Sequence, residues 1–136
     1  MTTELTYLVL TAILTGLLWI PSVLGQIQSR GFLKPKDYVH LPDSPLADWA
    51  VRANRAHQNA VENFSSFAAV VLVGHLAGVS TTATVTAAMV YFFARVVHAI
   101  VFISGFKHLM ARTMVFTVAW GAFLVFAIEV LRHAWV

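Results

Sequence analysis

A run of 22 residues, Leu5 to Gln26, passes without a single charged side chain, and this limits what the chain can become more than any other feature. About 20 apolar residues in a helix span the roughly 30 Å hydrocarbon core of a bilayer, so the run is long enough to cross. A cleaved signal peptide would open with basic residues and close on a small-residue cleavage site. This segment opens with Thr2, Thr3 and Glu4 and stays apolar for too long, so it reads as a retained span. Pro21 removes one backbone donor and is expected to kink its last turn.

Three further stretches of similar character follow, at about 45–78, 82–104 and 111–133. A polar connection at about 27–44 holds Arg30, Gly31, Lys34, Pro35, Lys36, Asp37, Pro42 and Asp43. The expected fold class is all-α, an integral membrane four-helix bundle forming one membrane domain over 1–136. Composition agrees: 59% of residues are hydrophobic and 11% charged, against about 25% charged in ordinary soluble domains. Four or five spans fill 136 positions, so function falls to the bundle itself. The nine Lys and Arg form no long basic run, which favours a membrane-surface bias over nucleic acid. Cysteine is absent, excluding disulfides, thiolate nucleophiles and thiolate metal sites.

Local signals set the helix ends. Ser44 and Pro45 read as an N-cap followed by proline at the first helical position, with Asp48 in the first turn. From there a helix can run to about Gly78, roughly 51 Å at 1.5 Å per residue, so it must tilt or project from the membrane. Gly105 is a plausible C-cap for the third helix. The first and third connections carry Arg30, Lys34, Lys36, Lys107 and Arg112, whereas the other side offers Arg132. The positive-inside rule therefore places both termini on the non-cytoplasmic side of a multi-pass protein of a bacterial inner membrane or an endoplasmic-reticulum membrane.

Ionisable groups within spans cost at least about 2.5–3.5 kcal/mol each at the bilayer centre, so each needs a partner, a cavity or a function. The second helix carries Arg52, Arg55, Asn59, Glu62 and Ser66, at offsets 0, 3, 7, 10 and 14. These fall in an arc of about 80° and form one polar stripe. On the third helix Tyr91, Arg95, His98 and Phe102 share a face, and Arg112 begins the fourth helix on the same side of the membrane. Antiparallel packing brings Arg95 and His98 near the depth of Arg55 and Asn59. A purely structural reading pairs Arg55 and Glu62 with each other or with neighbouring helices. Three arginines beside one carboxylate exceed what pairing needs, however, and an anionic guest with several carboxylates would balance them.

The run Arg55-Ala56-His57-Gln58-Asn59-Ala60-Val61-Glu62, with its RxxxNxxE signature, resembles the second-helix motif of the MAPEG family, the membrane-associated proteins of eicosanoid and glutathione metabolism. Arg95-Val96-Val97-His98 is similar to the third-helix motif of the microsomal prostaglandin E synthase and microsomal glutathione transferase branch. The resemblance implies a homotrimer of four-helix protomers that binds glutathione as co-substrate near the cytoplasmic face. Arg55, Asn59, Glu62, Arg95 and His98 match its glutathione-binding positions, and Arg112 approximates the catalytic arginine that stabilises the thiolate. It implies a membrane-embedded transferase or peroxidase acting on a lipophilic electrophile, whose partners are its own copies, membrane lipids and that substrate, with no nucleic acid and no metal. The chain departs from the pattern at Phe102, where a tyrosine is common, at Gln28, where an arginine is usual, and at Gln58. The competing reading is a non-catalytic trimeric membrane protein that retains a polar small-molecule or lipid-binding site.

Other candidates read as structural. His57 faces away from the stripe and His75 sits near the outer interface. His57 and His98 lie at similar depth and would serve as haem ligands only if they shared a cavity. Glu129 and Arg132 form a local pair. Trp19, Trp49, Trp120 and Trp135 are core or belt aromatics.

Overall fold

The computed structural model describes residues 1–134, so Trp135 lies outside the described residues. The chain is all-helical. Helix α1 spans Thr3–Arg30 in two segments, Thr3–Leu17 and Trp19–Arg30; α2 is Asp48–Leu76, α3 is Thr82–Ser104 and α4 is Ala111–Ala134. Short 3-10 turns at Pro35–Tyr38 and His108–Met110 lie in the first and third connections. Three helices, α1, α3 and α4, are long and apolar enough to cross a membrane. The fourth, α2, carries the polar stripe, and it packs against α1, α3 and α4.

Two boundaries differ from the sequence expectation. Helix α1 breaks at Leu18 and then continues to Arg30, so the break falls in mid-helix rather than in a last turn near Gln26. Pro21 has no N–H to give to the carbonyl of Leu17, and the helix yields one turn upstream of the proline. The second helix starts at Asp48, with Ala47 rather than Ser44 at its N-cap. Residues 44–47 are held instead by the end of α1: Arg30 Nε donates to the Ser44 carbonyl at 2.6 Å, and the Ala47 N–H donates to Ser29 Oγ at 2.9 Å. These contacts hold the chain out of helical conformation for one more turn.

The α1–α2 interface relies on small residues. Ala50, Ala53, Ala56 and Ala60 on α2 are buried, and Gly25 of α1 faces Ala50. Without bulky side chains between them, the two backbones come close enough for dispersion contacts along the seam. Ser22 Oγ donates to Asn54 Oδ1 at 3.2 Å, and the Trp49 indole donates to Gln28 Oε1 at 2.9 Å. Gln28 is thus occupied by Trp49. Further along, Phe67, Val71, Tyr91 and Phe126 join α2, α3 and α4 into the main apolar core, where the Phe67 and Tyr91 rings stack at 3.8 Å.

At the end of the bundle farthest from the basic connections, α1 is tied to α3 by a buried carboxylate. Glu4 is 4% exposed, and its Oε1 accepts from Ser80 Oγ and Thr84 Oγ1, each at 2.8 Å. Thr84 also completes a capping box with Thr81 at the start of α3. Glu129 pairs with Arg132 at 3.6 Å and faces His133 at 3.7 Å.

The Gly25 seam is testable. A Cβ there would sit 2.5 Å from Ala50 Cβ and 2.8 Å from its Cα. Gly25→Ala is expected to destabilise the bundle by about 1–3 kcal/mol through overpacking, read as a lower thermal midpoint in detergent. Gly16→Ala, where nothing lies within 4 Å, should leave the midpoint nearly unchanged.

Candidate functional site

The polar residues gather at the end of the bundle that carries the basic connections. Arg52, early in α2, donates from Nε to the Ile103 carbonyl at the end of α3, 3.1 Å away. This contact places the first turns of α2 beside the α3–α4 connection. Further into the bundle, Arg95 of α3 donates from Nη2 to Asn59 Oδ1 of α2 at 2.8 Å. Arg95 is 4% exposed, and its Nη1 has no hydrogen-bond partner. A buried guanidinium nitrogen left unpaired carries a desolvation cost that a guest's acceptor would relieve.

Two cavities open beside this bond. One, of about 300 Å³, is lined by Arg55 and Asn59 of α2, His98 and Phe102 of α3, and Arg112 and Phe116 of α4. The other, about 240 Å³ and deeper, is lined by Arg95, Tyr91, Asn63, Phe116, Trp120 and Phe123 among others. Phe116 borders both, and the Arg95–Asn59 bond joins a residue of one to a residue of the other. No aspartate or glutamate lines either cavity. The cations in these walls therefore have no acidic side chain beside them in either cavity.

The aromatic floor is ordered by the cations and the histidine. The Arg112 guanidinium lies over the Phe102 ring, 4.6 Å from its centroid. His98 packs edge-on against Phe102 at 5.5 Å and tilted against Phe116 at 6.0 Å. Phe102 thus gives Arg112 a platform, although it has no hydroxyl to offer a guest. Stacking limits the swing of the guanidinium and directs its donor edges toward the cavity.

Of the six residues singled out from the sequence, Arg55, Asn59, His98 and Arg112 share the outer cavity, and Arg95 lines the deeper one. Glu62 lies apart. It is exposed on α2 and lines neither cavity, although Asn63 beside it lines the deeper one: Glu62 stands at the edge of the stripe, about 100° around the helix from Asn63. Among the described residues Arg55 and Glu62 form no ion pair, either with each other or with a neighbouring helix. The wall residues Phe116, Trp120 and Phe123 were missed by sequence reasoning. Phe116 and Trp120 follow Arg112 at offsets of 4 and 8, so helical periodicity from the arginine would have found them. His57 is half-buried and lines neither cavity, whereas His98 is buried and lines the outer one. Among the described residues, no cluster of three or more His, Asp or Glu is placed to hold a metal ion.

The Arg95–Asn59 bond gives a second prediction. Asn59→Ala strips the buried guanidinium of its one partner and is expected to cost about 1–3 kcal/mol of stability. In a double-mutant cycle with Arg95→Ala, the pair should couple by about 0.5–3 kcal/mol. Additive losses in detergent unfolding would show that the bond contributes nothing.

The comparisons with known proteins complete the picture. The family model described as MAPEG family matches residues 5–132, nearly the whole chain. No curated protein matches it.

Proposed function

The chain belongs to the MAPEG family, and from that premise we propose that it is a glutathione-dependent transferase or peroxidase working at the boundary of the bilayer. The observation that carries this reading is the outer cavity, where side chains from three helices present two arginines and no carboxylate. Glutathione brings two carboxylates, and Arg55 offers a forked donor for one of them. Asn59 spends its carbonyl oxygen on Arg95 and keeps its amide N–H groups for a peptide carbonyl of the guest. His98 adds a hydrogen-bonding ring in the same wall.

Arg112 is the proposed catalytic residue. A guanidinium beside the sulfur favours the thiolate over the thiol and raises the share of nucleophile at neutral pH. The thiol proton leaves to solvent, and the sulfur lone pair forms a bond to the electrophilic carbon. The leaving group, a halide in a simple aryl substrate, departs with the electrons of the broken bond. The missing cysteine fits this scheme, because the reacting sulfur arrives with the substrate.

The protomer supplies cations for the carboxylates but, in this cavity, no carboxylate for the guest's ammonium. Arg55 and Glu62 are exposed on α2, which in a lone protomer would turn charges toward lipid at about 2.5–3.5 kcal/mol each or more. Both points favour an assembly of copies, and we assign it as the homotrimer implied by the family resemblance. The positive-inside count supports a site at the cytoplasmic face.

The test is glutathione conjugation to an aryl halide by the purified protein. Arg112→Ala should lower kcat by about 10²-fold, the range seen when a charge-stabilising donor is removed. Arg55→Ala should raise the glutathione KM about tenfold, in keeping with loss of a hydrogen bond to a charged group. Binding of glutathione without turnover would favour the non-catalytic reading, and folded protein that neither binds nor conjugates would overturn the proposal.

A further inference from the structure

A third cavity, of about 370 Å³, sits at the same end of the bundle and is not needed to hold glutathione. Three of its lining residues are cations, Arg52 of α2, Lys107 of the α3–α4 connection and Arg112 of α4, and none is acidic. Arg52 is held in place from two sides. Its Nε donates to the Ile103 carbonyl, and its Cζ lies where a Cβ on Gly105 would come within 3.0 Å. Gly105 has φ of +73° and so is required twice, for the left-handed turn that ends α3 and for the space the guanidinium occupies. With Nε committed, the two Nη groups of Arg52 remain as a fork.

The connection around this recess is built for the membrane boundary. Phe106, Leu109 and Met110 are 50%, 91% and 70% exposed, directly where α3 leaves the apolar zone. Leu109 and Met110 both take positive φ, 56° and 49°, a costly conformation for residues other than glycine. This backbone thrusts two apolar side chains outward beside a pocket of positive charge. Apolar side chains at that level are stable in acyl chains, and cations beside them meet lipid phosphates.

We propose that this recess binds the phosphate of an anionic phospholipid, with the acyl chains lying along the exposed apolar surface of α3 and α4. Ile100 and Met114, 63% and 61% exposed, continue that surface into the bilayer. Arg112 also lines the glutathione cavity, so a lipid held here would touch the proposed catalytic side chain from the other side. The proposal does not depend on the glutathione reading.

Native mass spectrometry of the purified protein in an uncharged detergent tests it, with dioleoyl-phosphatidylglycerol, dioleoyl-phosphatidylcholine and inorganic phosphate as separate probes. Phosphatidylglycerol should be retained at least about tenfold better than phosphatidylcholine, and Lys107→Ala should lower that preference about fivefold. The double variant Arg52→Ala with Lys107→Ala should erase it, and Gly105→Ala, which displaces Arg52, should weaken it. Lys107 is exposed, so Lys107→Ala and Lys107→Glu keep the test valid even if removing Arg52 unfolds the chain. Equal retention of the two lipids, a preference that survives the double variant, or displacement of the lipid by an equal concentration of inorganic phosphate would each overturn the proposal. Glutathione binding by Arg55→Ala, measured alongside, separates the two readings: its loss with lipid preference intact concerns the glutathione site alone.

Discussion

One buried guanidinium sets the terms for the basic end of this bundle. Arg95 stands on α3, 4% exposed and inside a span. Such a charge is expensive in hydrocarbon, and one hydrogen bond to Asn59 does not use all of its donors. The rest of the site is consistent with that deficit. The residue must be near a cavity that something polar can enter, and that cavity must be near the end of the bundle from which polar guests arrive. Arg55, His98 and Arg112 surround the opening where both conditions hold.

Much of this was legible because charge is so scarce. In a chain with 11% charged residues, a polar side chain at every third or fourth position on one helix face, two of them arginines, carries information that the same spacing on a soluble helix would not. Periodicity placed Arg55 and Asn59 on one stripe, and antiparallel packing brought Arg95 to the depth of Asn59. It misled for Glu62, because a stripe about 80° wide has edges: Glu62 stands at one of them and is exposed, while Asn63, about 100° around the helix, lines the deeper cavity. The start of α2 was misread at Ser44 for another reason. A serine followed by proline is a strong local signal, but Arg30 and Ser29, 14 and 18 residues from their partners, hold that segment in another conformation. The break in α1 was anticipated in cause and misplaced in position, since the helix runs on to Arg30. Composition alone does not reveal the aromatic walls, because apolar side chains on a membrane helix face lipid and cavity alike; only the register counted from Arg112 points to Phe116 and Trp120.

Arg112 is where the two basic cavities meet. Its guanidinium is stacked on Phe102 rather than locked in an ion pair, so its donors remain available to either side. A tyrosine in place of Phe102 would add a hydroxyl to compete for the same guest. The phenylalanine leaves the platform and removes the competitor, which concentrates polar contact on the arginine.

Glu4 is separated by 76 and 80 residues from the two hydroxyls that receive it. The bond therefore closes a long loop in the chain, joining the first turn of α1 to the first turn of α3, and the two hydroxyls can reach the carboxylate only once the start of α3 has been made.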